Sequence, residues 1–99
     1  MKAYWIAHVT VTDRDAYAAY QALAPAAFAA HGARFLARGG MAEVLEGPAL
    51  DRHVVIEFPS LDAARACYHS PEYQAARRHR DGAAVAHVTI VEGLPGSQA

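Results

Sequence analysis

His8, Arg38 and Glu57 are the residues of this chain best suited to chemistry, if its strands bring them onto one surface. A carboxylate that orients an imidazole makes a general base, and a guanidinium beside them makes an anion site. In that arrangement His8 or Glu57 moves a proton while Arg38 holds an anionic group of a ligand. The same residues also read as a structural Arg–Glu pair beneath an interface, with His8 merely hydrogen-bonded, since scaffold ion pairs perturb charges as active sites do. Tyr68, Tyr73 and Arg80 form a second set. Tyr73 and Arg80 are seven residues apart, two turns along one helix face, so a phenol and a guanidinium overhang a pocket. The plainer reading packs the tyrosines on a sheet and extends or pairs Arg80.

Other chemistries are less well served. Of six histidines, His8, His53 and His87 share one sheet face by strand parity, yet no paired-histidine helix motif or Cys-x-x-Cys spacing occurs. His31, His69 and His79 sit near helix ends, where an imidazole commonly meets the helix dipole. No metal is expected, and no cofactor, haem included. Cys67 reads as small core filler rather than a nucleophile. Arg77, Arg78 and Arg80 read as a solvated basic run.

The elements that must position these groups follow from pattern. Tyr4 to Val11 is a strand, and Asp13 caps a helix running to about His31, where Gly32 stops it. Tyr17, Tyr20, Ala24, Phe28 and His31 give that helix one stripe, and Pro25 inside it should kink or split it. Arg34 to Arg38 is a second strand, bent or bulged at Gly39-Gly40 and resuming from Met41 to Glu46. Gly47-Pro48 turns the chain, Arg52 to Phe58 is the third strand, and Pro59 ends it. Ser60 caps a helix to about Tyr68, and Ser70-Pro71-Glu72 restarts one with a hydroxyl cap and a proline at the first helical position. Ala86 to Glu92 is the last strand, and residues 94–99 are a tail, loose or lent to a partner. The order is βαββαβ, a ferredoxin-like α+β arrangement with an antiparallel sheet and helices on one face. One domain over residues 1–99 is expected, its core at about 3–93.

Alternation assigns Trp5, Ala7, Val9 and Val11, then Phe35 and Ala37, then Val54, Ile56 and Phe58, then Val88 and Ile90 to the helix side. The opposite face carries Tyr4, Ile6, Leu36, Val55 and Val91 among His8, Arg34, Arg38, His53, Glu57, His87 and Thr89. It is too apolar to stand in water and too charged for an ordinary core. A two-fold partner packed on the same face resolves this, so a homodimer through the open sheet face is expected.

Composition narrows the partners. The chain has 99 residues, 54% of them hydrophobic, with a formal net charge of -1, which disfavours a nucleic acid held by phosphate neutralisation. The third strand carries Glu57 within Arg-His-Val-Val-Ile-Glu-Phe, and the RNA-recognition signature of this strand order is missing. No apolar run approaches a membrane span. A single cysteine and no signal-peptide layout suit a soluble, cytoplasmic protein.

The chain resembles the domain-of-unknown-function family thirteen-thirty, within the dimeric α/β-barrel superfamily. The resemblance lies in Tyr4-Trp5-Ile6-Ala7, Asp13, Tyr17, Tyr20, Gly32 with Arg34, Arg38-Gly39-Gly40, Leu45-Glu46-Gly47 and Arg52. It continues through Glu57-Phe58-Pro59-Ser60, Tyr68, Ser70-Pro71-Glu72-Tyr73, Arg80 and Glu92-Gly93. Ala33 departs from a common Gly-Gly-Arg pattern. The resemblance implies the dimeric ferredoxin-like fold and no particular reaction, because relatives in the superfamily include cofactor-free oxygenases, haem enzymes and small-molecule isomerases. Two functions stay open. One is a homodimer that binds or converts a small organic molecule, carboxylated or phenolic, without a nucleotide cofactor. Its site would hold Arg38, Tyr68, Tyr73 and Arg80, with His8 or Glu57 as proton carrier. The other is a non-catalytic structural or regulatory dimer whose polar sheet face only fixes the interface.

Overall fold

The structure, a computed structural model, describes residues 1–95; the end of the expected tail, residues 96–99, lies outside the described residues. Its elements are β1 (Ala3–Val11), α1 (Arg14–Ala30), β2 (Arg34–Arg38), β3 (Arg52–Phe58), α2 (Leu61–His69), α3 (Pro71–Arg80) and β4 (Ala84–Glu92). The strands form one antiparallel sheet in the order β2-β3-β1-β4. The helices cover one face of it, and among the described residues no helix or strand covers the other.

Side-chain chemistry at the ends explains where the helices start. The Asp13 carboxylate accepts from the Ala16 N–H at 3.2 Å, and Ser60 Oγ accepts from the Ala63 N–H at 3.0 Å. Ser70 works in both directions: its hydroxyl donates to the Cys67 carbonyl at 2.7 Å and accepts from the Tyr73 N–H at 3.2 Å. One residue therefore closes α2 and opens α3, with Pro71 at the first helical position, where no N–H is needed. Pro25 does not split α1, which runs unbroken to Ala30. The amide that proline lacks would have bonded the carbonyl of Gln21, and Gln21 is exposed, on the side of the helix where such a loss is cheapest. Gly32 ends the turn after α1 at φ +73°, while Ala33 keeps an ordinary negative φ. The departure at Ala33 therefore strains nothing.

Strand parity holds in β1, β3 and β4. Trp5, Ile56, Phe58, Cys67 and Tyr73 are fully buried, and Trp5 is the hub, with ring centroids 5.0 Å from Tyr73, 5.1 Å from Phe28 and 5.9 Å from Phe58.

In β2 the expected parity fails. Arg34 opposes Glu57 and Phe35 opposes Ile56, but Ala37 opposes Val55 and Arg38 opposes Val54. Leu36 is the extra residue of a β-bulge, earlier in the strand than the expected bend at Gly39-Gly40. Because side chains alternate with a period of two, one inserted residue reverses every later position. Arg34 stays on the open face, whereas Arg38 crosses to the helix side.

The expected resumption of this strand over Met41 to Glu46 does not occur. Those residues form no strand, and Met41 and Leu45 are 105% and 81% exposed. Gly39 takes φ +70° and turns the chain off the ladder, and Pro48 on the return path has no N–H to donate. The hairpin thus opens into an excursion between Gly39 and Asp51. No helix among the described residues is long and apolar enough to cross a membrane.

Candidate ligand cleft

The bulge at Leu36 delivers Arg38 to the rim of a narrow cleft between α1 and the helix side of the sheet. Trp5, Ala7, Val9, Phe35, Val54 and Val88 supply its sheet wall, and Ala24 and Pro25 supply the α1 wall. Its cavity volume is about 50 Å³, room for roughly four waters where each needs ~10–15 Å³. Three guanidinium groups, from Arg38, Arg52 and Arg80, reach this apolar slot, with Tyr17, Tyr20 and Gln21, and no aspartate or glutamate lines it.

Each arginine is placed by a different device. Arg38 lies over the Phe35 ring, 4.2 Å from its centroid, a cation–π contact on the rim. Arg52 begins β3 on the helix-side row of Val54, Ile56 and Phe58, and its guanidinium crosses the backbone of Gly39. A Cβ at that glycine would collide with Arg52 Nη1, so Gly39 is required twice, by its φ of +70° and by this crossing. Arg80, at the end of α3, donates from Nη2 to the Tyr73 hydroxyl at 3.3 Å and lies 5.1 Å from the Tyr20 ring centroid. The Tyr73 and Tyr20 hydroxyls are 2.9 Å apart.

The electrostatics follow from burial. Desolvation raises the Tyr20 phenol strongly and the Tyr73 phenol as well, so both are neutral hydrogen-bonding groups. Burial alone would lower Arg80, but the neighbouring Tyr73 and Tyr20 oxygens outweigh it and raise the guanidinium. Nε of Arg52 and Nε of Arg80 are buried with no hydrogen-bond partner among the described residues. A buried unpaired donor costs about 1–3 kcal/mol, more when charged. Arg52 and Arg80 both line the cleft, and among the described residues both carry this cost.

The open face is arranged differently. Glu57 Oε1 meets Lys2 Nζ at 3.1 Å and Arg34 Nη2 at 3.5 Å. His8 Nδ1 and His53 Nδ1 are 2.7 Å apart across the β1–β3 ladder, one donating and one accepting, and His87 opposes His8 from β4. Among the described residues, no three histidine, cysteine, aspartate or glutamate side chains group to hold a metal ion.

The constellation of His8, Arg38 and Glu57 expected from sequence is thus not assembled. Arg38 lies on the opposite face, and Glu57 pairs in register with Tyr4, four residues along β1 from His8. The second expected set fares better. Arg38 and Arg80 share the cleft, and Tyr73 lies beneath it as a hydrogen-bonded support. Tyr68 lines a neighbouring groove with Arg65, Arg77 and Arg80 beside β4. Sequence reasoning missed Arg52 and Tyr20 as site residues. Arg52 was within reach, because it continues the row of Val54 by two.

The family model described as "Domain of unknown function (DUF1330)" matches residues 2–94. The chain belongs to the DUF1330 family. Solved structures agree on the fold. The RPA0582 protein of unknown function from Rhodopseudomonas palustris superposes with a TM-score of 0.76 at 24% identity, covering 96% of this chain and 84% of that one. SnoaB, a cofactor-independent oxygenase from Streptomyces nogalater, gives 0.64 at 14% identity over 99% of this chain and 98% of its own. A dimeric protein of unknown function and ferredoxin-like fold from Bacteroides fragilis gives 0.63 at 14% identity, covering 93% and 96%. At these identities the likeness establishes the ferredoxin-like α+β fold of this DUF1330 chain and leaves chemistry to its own residues. A search of curated proteins finds no match to it.

Proposed function

We propose that this DUF1330 protein is a homodimer that binds, and as an enzyme converts, a small organic molecule in the cleft between α1 and the sheet, without a nucleotide cofactor. One observation carries the reading: an apolar slot lined by three arginines and, among the described residues, by no aspartate or glutamate. Charge of that kind inside a small domain is costly unless something answers it. The cofactor-independent oxygenase among the structural neighbours supports the idea that this fold can work without a bound group. A reducing cytoplasm suits the single buried thiol of Cys67.

The open face supports the dimer. Leu36, Val85 and Val91 on it are 45–50% exposed, and the excursion from Gly39 carries Met41 and Leu45 into solvent nearby. A second copy on this face buries such a patch on both chains. A neighbour described as dimeric supports the same arrangement. The polar groups there already answer one another, which favours the view that this face fixes the interface. In this reading His8 and Glu57 are interface residues, and the chemistry belongs to the cleft.

The test is a melting-temperature screen of small organic compounds. A ligand at about a hundred times its dissociation constant stabilises the native state by ~2.7 kcal/mol. The expected result is a shift that vanishes in Ala86→Phe, which fills the cleft. Shifts that survive that substitution would move the site elsewhere. Sedimentation should give a dimer for the wild type and a monomer for Val55→Glu; a wild-type monomer at micromolar concentration removes the dimer.

A further inference from the structure

Hydrogen-bond direction along Arg80, Tyr73 and Tyr20 narrows what the cleft receives. A guanidinium only donates, so in its contact with Tyr73 at 3.3 Å the phenolic oxygen accepts. Tyr73 is fully buried, and its own proton needs an acceptor. The Tyr20 oxygen, 2.9 Å away, is the one its hydroxyl contacts. Tyr73 therefore donates to Tyr20, and the proton of Tyr20 is left for the cleft that Tyr20 lines. The chain of bonds runs one way, from cation to phenol to phenol to ligand, and each bond polarises the next.

The other polar atoms agree in sign. The guanidinium groups of Arg38, Arg52 and Arg80 only donate, and among the described residues no carboxylate lines the cleft. Gln21 alone among the lining side chains brings a carbonyl, and it is exposed. Such a site suits a ligand that accepts at one end. The apolar walls and narrow slot suit a flat hydrocarbon body of only a few carbons at the other.

We propose that the ligand is a small planar organic carboxylate, its oxygens met by the guanidinium groups of Arg52 and Arg80 and by the hydroxyl of Tyr20. This rests on the cleft being the binding site. Tyr20 is then a specificity-determining residue, and Tyr73 positions it. An inorganic anion satisfies the donors but leaves the walls wet, while a neutral isostere satisfies the walls but leaves the guanidinium charge unanswered.

Isothermal titration calorimetry with acetate, crotonate, acetamide, crotonamide and inorganic phosphate tests this. At least one acid should bind, its amide at least tenfold more weakly, and phosphate no better than the amide. Arg52→Met and Arg80→Met should each weaken the acid by tenfold or more. Tyr20→Phe should weaken it three- to tenfold, with folding of all variants checked by circular dichroism. If amides bind as tightly as acids and Ala86→Phe abolishes both, the cleft stands and the carboxylate inference falls. Phosphate binding as tightly as the acids also overturns it, as does a Tyr20→Phe protein with unchanged affinity for the role of Tyr20. If acids bind equally well to Ala86→Phe, the cleft reading itself fails.

Discussion

Arg34 and Arg38 lie four residues apart in one short strand and meet opposite fates. Arg34, on the open face, shares Glu57 with Lys2. Arg38, on the helix side, has an aromatic ring beneath it and, among the described residues, no carboxylate partner. The contrast extends to the faces as wholes: on one, acids and imidazoles are answered by neighbouring strands, and on the other, arginines and phenols point into an apolar slot. A single inserted residue, Leu36, separates the two outcomes. Composition alone therefore cannot say whether an arginine serves structure or a ligand; the register of its strand decides.

The largest expected effect breaks the cleft side. Tyr73 packs against Trp5, Phe28, Tyr20 and Tyr68, so Tyr73→Ala should lose about 3–5 kcal/mol in urea unfolding, as large aromatic deletions do. Tyr73→Phe keeps the packing and removes only the relay hydroxyl. It should cost about 1–2 kcal/mol and weaken ligand binding, whereas unchanged binding would uncouple Tyr73 from the site.

Alkaline pH should sharpen the same contrast, because the groups raised by burial, Cys67, Tyr20 and Tyr73, all lie on the helix side. Burial pushes the Cys67 thiol from 9.0 up to about 11, with Glu72 adding to it. Between those values the unfolded chain has released a proton that the folded one keeps, so stability falls as pH rises. The Cys67 contribution, about 2–3 kcal/mol at 1.36 kcal/mol per unit, is present below pH 9 and gone above 11. Urea titrations of wild type and Cys67→Ala across this range should diverge in slope; parallel curves would remove the thiol as the cause.

Gly39→Ala acts at the hinge between the two faces. The backbone conformation and the blocked path of Arg52 should together cost about 1–3 kcal/mol and weaken ligand binding with it. Smallest of all, Glu57→Gln removes the open-face ion pairs. Both cations are largely exposed, so the loss should be under ~1 kcal/mol, with cleft binding unchanged. A Glu57→Gln protein that loses binding would erase the distinction between the faces.

Much of this was legible in the residues. Trp5, Ile56 and Phe58 alternate cleanly, and Asp13, Ser60 and Ser70 announce their helices, so element order and the buried face could be read directly. The bulge could not. Arg34 to Arg38 alternates as well as any strand, and nothing local marks Leu36 as the extra residue, because the register is set by pairing with β3. The failure propagated: with Arg38 on the wrong face, His8 and Glu57 looked like its companions. Met41 to Glu46 misled for a related reason, being strand-like in composition with no ladder to join. The relay through Tyr20 needed the approach of α1 to α3, which spacing within either helix does not contain.

The most direct test of the cleft is nitrogen-15 NMR of the arginine side chains during titration with crotonate. The expected result is a saturable shift of the Arg52 and Arg80 Nε–H resonances, with Arg34 Nε and the Val55 and Val91 amides unmoved. Shifts confined to Arg34, His8 and the open-face amides would contradict it and return the ligand to the other side of the sheet.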